Sequence, residues 1–329
     1  MLERAAAAVG PLLQSQVACL APRTRDACGR HFGWPAGAVP ATVGSGGKFV
    51  RAALALLSCE AASGEPRMAL TAAVAVELVH NASLLHDDII DGETIRRGRP
   101  ALWVDIGVPG AILAGDALFF AAVQALTAAP RWERSVPVLL ACVQALIEGE
   151  FADVLMESSV DTGEDQVLAV AAAKTGVLLA CACELGAIAA NASAKRAAHL
   201  RAFGSNLGIA FQNADDLIDV WGRSETTGKP TRSDLRAHKI SLPVAAAMAS
   251  ISPAARELRA LFLRETPLDE EQCARAAALI EEAGGREATE RSVRKHADEA
   301  LRHLQLAAPA KDAEQALTAL VDRLVHRDR

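Results

Sequence analysis

Apolar residues recur at three- and four-residue spacing along most of the chain, in stretches too long to be strands. This pattern predicts helices over residues 48–62, 68–91, 110–128, 134–156, 165–190, 195–221, 241–249, 270–283 and 286–306, with a last one near 311–326. The breaks between them carry residues that stop helices: Gly44 to Gly47, Pro130, the Ser-, Asp-, Thr- and Gly-containing stretch 157–164, and Pro253. The polar stretch from Gly222 to His238, centred on Gly228, Lys229 and Pro230, reads as a loop. No sustained period-2 alternation is present, so the predicted fold class is all-α. No stretch has the composition of an interdomain linker, and residues 1–329 are expected to form a single domain.

Composition narrows the classes of partner. Of 329 residues 51% are hydrophobic, with alanine prominent and no tyrosine, which suits helices with closely packed axes. The net charge of −6 argues against a partner read through a nucleic-acid backbone. A small anionic ligand is still open, because bound cations would reverse the sign locally. The seven cysteines are odd in number and match no zinc spacing, so they read as small buried residues in a reducing compartment. Glu3 and Arg4 precede only a short alanine run, not a signal-peptide core. Lys174 and Glu184 interrupt the most tempting apolar stretch. The expectation is a soluble cytoplasmic protein without a transmembrane segment.

Within this apolar background the chain spells Asp-Asp-x-x-Asp twice, as Asp87, Asp88 and Asp91 and again as Asp215, Asp216 and Asp219. On a helix the first and last Asp of each copy share a face, where like charges destabilise unless something neutralises them. A solvated acidic face would explain one copy. The apolar flanks, Ala82 to Leu85 and Leu207 to Phe211, and the second copy favour hard divalent cations carrying a phosphorylated ligand. Basic residues accompany both copies. Arg96 and Arg97 follow the first and offer fork-shaped donors to phosphate oxygens. Lys229, Asp234 and Lys239 follow the second. Lys174 and Thr175 lie in an otherwise apolar helix, where a lysine needs an anionic partner, either a phosphate or a structural carboxylate. Gly46-Gly47-Lys48-Phe49-Val50-Arg51 puts Lys48 and Arg51 on one face at a helix start. His80 lies two turns before Asp87 on nearly the same face, as ligand contact or as core residue.

With these pieces in order from Gly46 to Pro243, the chain resembles the trans-isoprenyl diphosphate synthases, the polyprenyl synthetase family, and among them the geranylgeranyl diphosphate synthases. Glu77-Leu78-Val79-His80, Gly115-Asp116, Gly149-Glu150 and Phe211-Gln212 complete the match. The resemblance implies an isoprenoid synthase helical bundle around a deep central cavity, usually a homodimer. It implies three Mg²⁺ per active site, with Mn²⁺ able to substitute, held by the two Asp motifs. Asp87, Asp88, Asp91, Asp215, Asp216 and Asp219 would be metal ligands or their immediate support. Arg96, Lys174, Thr175, Gln212, Lys229 and Lys239 would bind the diphosphate of an allylic prenyl substrate. Lys48, Arg51, His80 and Arg97 would hold isopentenyl diphosphate. Of these, Asp87, Asp88, Asp91, Asp215, Asp216, Lys174 and Lys229 would carry the catalysis, a head-to-tail (1'-4) condensation giving a trans-polyprenyl diphosphate. Phe49 and Ala52 depart from the family pattern after the Gly-Gly-Lys, where a further basic residue and a Pro are common. Two alternatives stand beside this reading: a class I terpene cyclase-like enzyme on the same scaffold, and a non-catalytic partner subunit of a prenyl synthase. The second Asp triplet and the isopentenyl-type cations speak against the first, and the retention of all six Asp residues against the second.

The resemblance also implies that the residue five before the first Asp helps to form the floor of the product cavity. Here it is Ala82, followed by Ser83, about 7.5 Å below Asp87 along a helix. Leu78 lies in the next layer, and Phe119, on the helix after Gly115 and Asp116, is a candidate lower stop. A small floor residue lets the chain grow to geranylgeranyl length or beyond. Ala82→Phe is expected to shift the product to a shorter prenyl diphosphate on sizing by chromatography, and an unchanged product would remove Ala82 from the floor.

Overall fold

The computed structural model describes residues 1–34, 49–157, 162–222, 232–264 and 266–325. Lys48, the Gly46-Gly47 pair, Gly228 to Pro230 with Lys229, and the basic C-terminal residues 326–329 lie outside the described residues. The described chain is almost entirely helical, and its strand content is one hairpin of two-residue strands. The all-α expectation holds, and most boundaries fall within two residues of those predicted. Contacts divide the chain into two compact units.

The first unit comprises residues 1–143, 181–201 and 307–316. It begins with α1 (Leu2–Ala18) and α2 (Pro22–Phe32), neither of which the periodicity predicted. Then follow α3 (Val50–Ala61), α4 (Leu70–Ile90) and α5 (Leu102–Thr127). α4 packs on α3 and α5 and is buried along most of its length, from Ala72 to Val79 without a break. That burial all round explains why its period was legible only as a long apolar run. α5 starts earlier than predicted, because a break at Gly107 and Pro109 separates a first helical turn from the rest. Between α4 and α5, β1 (Ile95–Arg96) pairs with β2 (Arg99–Pro100) in antiparallel register, Arg96 opposite Arg99. Arg97 and Gly98 form its two-residue loop with φ of 54° and 72°, as in a type I′ turn, where glycine supplies one of the two left-handed positions. Elsewhere in the unit Arg196 donates to the carbonyls of Ala61 and Ala308, both at 2.6 Å, and so caps the end of α3.

The second unit comprises residues 144–180, 202–306 and 317–329. α6 (Trp132–Glu157) supplies Glu150 and Asp153 to it, and α7 (Glu164–Ala171) leads through a π-helical turn, Ala172–Gly176, into α8 (Val177–Ala189). The sequence predicted one continuous helix here, and the wide turn inside it is a finding of the structure. α9 (Ala194–Trp221) carries the second Asp motif near its end. Shorter helices Ser233–Arg236, Leu242–Met248, Pro253–Phe262, Glu270–Glu282 and Gly285–Leu306 enclose a core that includes Val220, Leu235, Val244, Leu258, Phe262, Leu279 and Ile280. Two of them start on side-chain caps, Ser252 to Ala255 N–H and Asp269 to Gln272 N–H.

The expectation of no membrane-spanning helix is not met by length and composition alone. Pro66–Ile90, Leu102–Thr127 and Glu164–Ala189 are long and apolar enough to cross a bilayer. The single charges Lys174 and Glu184 are too few to disqualify the third. Burial inside the protein covers 67% of the most apolar window in the first and 61% in the third, but only 33% in the second. That second helix, α5, presents Val104, Ile112, Leu113 and Phe120 outward.

α9 approaches the π turn as closely as two backbones can, since a Cβ on Gly208 would lie 2.4 Å from Gly176 Cα. Gly208→Ala would gain about 1 kcal/mol of helix propensity. It would also force apart backbone that has no side-chain tip to yield, at about 1–3 kcal/mol. The expected outcome is a net loss of stability in a denaturant melt, with Gly208→Ser more damaging still.

Candidate active site

The first unit gathers three predicted ligand contacts near one buried carboxyl. Glu77 is buried on α4 and accepts the backbone N–H of Ala52 at 3.0 Å. Burial pushes its carboxyl up, while Arg51, the Ala52 N–H and Arg97 pull it back. Arg51 is held down chiefly by burial, and the Glu77 carboxylate partly offsets this. The Nε of Arg51 is buried with no hydrogen-bond partner among the described residues. His80 is pushed well below its ordinary range by burial first, then by Arg51 and Arg97, so it is neutral at neutral pH. The structure thus brings Arg51, His80 and Arg97 into one electrostatic neighbourhood, with Glu77 as the internal counter-ion.

The first Asp motif sits at the end of α4, and the structure separates its three carboxylates. Asp88 is 1% exposed and is taken by Arg96, whose Nε donates to Oδ1 at 2.6 Å and whose Nη2 makes a second contact. Burial raises the Asp88 carboxyl and Arg96 opposes the rise. Asp87 is partly exposed, with Oδ2 3.7 Å from Arg96 Nη2, and Asp91 is exposed at the end of the helix. Asp87 and Asp91 each offer a carboxylate oxygen within 4.8 Å of the other. Hard oxygen donors at this spacing fit a divalent cation such as Mg²⁺. Asp88 is placed instead to hold Arg96. His86 turns from the motif toward α5, with Nε2 3.2 Å from the Ile112 carbonyl oxygen and its ring 5.8 Å from that of Phe119. Ala82, Leu78 and Val79 are fully buried on α4, and Ser83 is half-buried with its hydroxyl donated to the His80 carbonyl.

The second unit holds a matching set. Lys174, in the π turn, pairs with Glu150 at 2.8 Å and Asp153 at 2.6 Å, and Lys239 lies 3.6 Å from Asp153. Burial pushes the Asp153 carboxyl up, but Lys239 and Lys174 together bring it below its ordinary value. The half-buried lysine thus has carboxylate partners, one of the two outcomes its sequence position allowed. A hydrogen-bonded file then runs from Thr175 Oγ1 to Gln212 Oε1 at 2.9 Å, and from Gln212 Nε2 to Asp216 Oδ1 at 3.0 Å. It continues from Leu242 N–H to Asp216 Oδ2 at 3.2 Å. Asp216 is 6% exposed. Asp219 accepts from Ser233 Oγ at 2.8 Å and from Asp234 N–H at 3.2 Å, fixing the segment that leads to Lys239. Asp215 is partly exposed on α9, between the buried Ala214 and Asp216.

Sequence reasoning made all six Asp residues metal ligands or their support, with Asp219 alone left out of the catalysis, and it assigned no role to Glu77, Asn81, Glu150 or Asp153. The available signal was their spacing: Glu77 and Asn81 flank His80 one turn apart in a helix otherwise apolar there, and Glu150 and Asp153 share a face of α6.

Comparison with known proteins places this chemistry in a family. The polyprenyl synthetase profile matches residues 34–280, and the chain belongs to that family. It is 40% identical to the geranylgeranyl diphosphate synthase of Mycobacterium tuberculosis over all of this chain and 93% of that one. It is 38% identical to a (2E,6E)-farnesyl diphosphate synthase of Mycobacterium bovis, over 88% of this chain and 82% of the other. The crystal structure of a polyprenyl synthetase from Streptomyces coelicolor superposes with a TM-score of 0.93 at 40% identity, covering 98% of both chains.

The Asp216 carboxyl is pushed up to about 7, by burial first and against the Gln212 and Leu242 donors. A carboxyl raised in the folded state stabilises the fold fully below its unfolded value near 4 and loses that contribution as pH rises through about 7. Asp216→Asn is therefore expected to flatten stability between pH 4 and 7. It should remove a slope of at most about 1.4 kcal/mol per pH unit from denaturant melts of the protein without divalent cations.

Proposed function

We propose that the chain is a trans-prenyltransferase that condenses isopentenyl diphosphate with an allylic diphosphate. The observation that carries this is the retention of both Asp-Asp-x-x-Asp segments, each with its own cationic set, in a member of the polyprenyl synthetase family. Arg51, His80 and Arg97, with Lys48 outside the described residues, would hold isopentenyl diphosphate near Glu77. Arg96, Lys174, Thr175, Gln212 and Lys239, with Lys229 also outside the described residues, would bind the allylic diphosphate. Asp87, Asp91 and Asp215 would ligate Mg²⁺, and Asp88, Asp216 and Asp219 would hold the cationic and loop partners in place. Bound Mg²⁺ would supply Lewis-acid neutralisation of the departing diphosphate. The protein's own contribution is to fix both substrates at reacting distance and to keep water from the carbocation with apolar helix walls. His80, being neutral, would donate one N–H to a phosphate oxygen without adding charge.

The relatives include synthases named for both farnesyl and geranylgeranyl products. The small, buried Ala82 favours geranylgeranyl diphosphate or a longer product for this chain. The outward apolar side chains of α5 support a homodimer, and the burial of α4 and of α7 with α8 supports a cytoplasmic enzyme. The family match runs through both compact units, which supports one synthase domain. Incubation of the purified chain with Mg²⁺, labelled isopentenyl diphosphate and a series of allylic primers is expected to give extended prenyl diphosphates. Asp87→Ala and Asp215→Ala should each lower kcat/KM by about a hundredfold or more. No condensation with any primer would overturn the assignment.

A further inference from the structure

Arg97 stands in the left-handed loop of the β1–β2 hairpin, a backbone position that leaves a long side chain without a helix or sheet to direct it. Its guanidinium nevertheless has a fixed neighbour. Asn81, fully buried on α4 directly after His80, has Oδ1 3.4 Å from Arg97 Nη1 and 3.1 Å from His31 Nε2. The Asn81 amide cannot be turned round, because Nδ2 donates to the Glu77 carbonyl at 2.7 Å. The oxygen must therefore face the arginine. His31 is buried near the end of α2, and burial, then Arg97, holds it down to about 4. It is neutral at working pH, so Nε2 carries the proton that reaches Asn81. The same hairpin is tied to α2 a second time, by Arg99, which donates to the His31 carbonyl at 3.0 Å. An amide oxygen suits this place better than a carboxylate would. It accepts from Arg97 without neutralising it, and leaves the guanidinium's charge for an anion.

We infer that Asn81, locked by the Glu77 carbonyl and His31, is the positioning residue that aims Arg97 at the diphosphate of the non-allylic substrate. The inference rests on the proposed prenyltransferase function for the identity of that substrate. Asn81 would not touch the substrate; it would act through Arg97, with His31 acting through Asn81.

Initial-rate kinetics with each substrate varied separately, together with calorimetric titration of isopentenyl diphosphate in the absence of primer, test this. Asn81→Ala and His31→Phe should raise the KM and the calorimetric Kd for isopentenyl diphosphate by about fivefold to tenfold, within the range of one ordinary lost hydrogen bond, as suits a contact of 3.4 Å. The KM for the allylic primer should move by less than about twofold on the same scale. His31→Gln, whose amide N–H can still reach Asn81, should restore most of the loss. In an Arg97→Ala background Asn81→Ala should add nothing further. A wild-type chain that neither binds nor condenses isopentenyl diphosphate would sink the functional reading itself. A wild-type chain that does both overturns this inference alone under either of two results. One is that Asn81→Ala and His31→Phe leave isopentenyl diphosphate affinity unchanged. The other is that they weaken it equally when Arg97 is absent.

Discussion

A charge inside an apolar helical protein must be met by opposite charge or by well-placed hydrogen bonds, or it will not stay charged. That constraint shapes both units of this chain. Glu77 sits beneath Arg51 and Arg97, Asp88 beneath Arg96, and Asp153 between Lys174 and Lys239. In each case the carboxylate lies farther from solvent than the cation it meets. The buried anions fix the cations, and under the proposed function those cations would meet the ligand. This arrangement accounts for a protein of net charge −6 that handles two diphosphates.

The two Asp motifs obey the same rule in different ways. In both, the middle residue is the buried one, Asp88 at 1% exposure and Asp216 at 6%. Asp88 meets a guanidinium and keeps its charge close to a cation. Burial raises both carboxyls, and Asp216, which meets an amide and a backbone N–H, is pushed up to about 7. The repeated spelling in the sequence conceals this asymmetry. The motifs are alike in what they present and unlike in what supports them.

Much of the fold was legible because the long helices are amphipathic or uniformly apolar over twenty or more residues. What escaped was local. α1 and α2 are short of strong periodic signal: α2 is mostly polar, and it buries only Cys28, His31 and Phe32. The hairpin at Ile95 to Pro100 is too short for any alternation to register. The site residues that carry charge were legible from composition alone, since a lysine or an Asp triplet in an apolar run demands a partner. The residues that aim them were not. Asn81 and His31 are neutral, and neither residue type marks its partner in the sequence. Their roles depend on α2 reaching α4, which no local pattern encodes.

The π turn at Ala172–Gly176 breaks a run that the sequence presents as one helix. One extra residue in a turn shifts everything beyond it by about 100° of helical phase. The apolar faces of α7 and α8 therefore obey two separate phases, and Lys174 and Thr175 fall in the seam between them. A chain shortened by one residue at this seam could heal into continuous α-helix with little disturbance to either flank. Healing would swing the ammonium away from Asp153 or the hydroxyl away from Gln212. A one-residue change of length in this segment would thus act on Lys174 and Thr175 before it acted on the helices to either side. Its first consequence would be a broken contact to Asp153 or Gln212, ahead of any loss of fold.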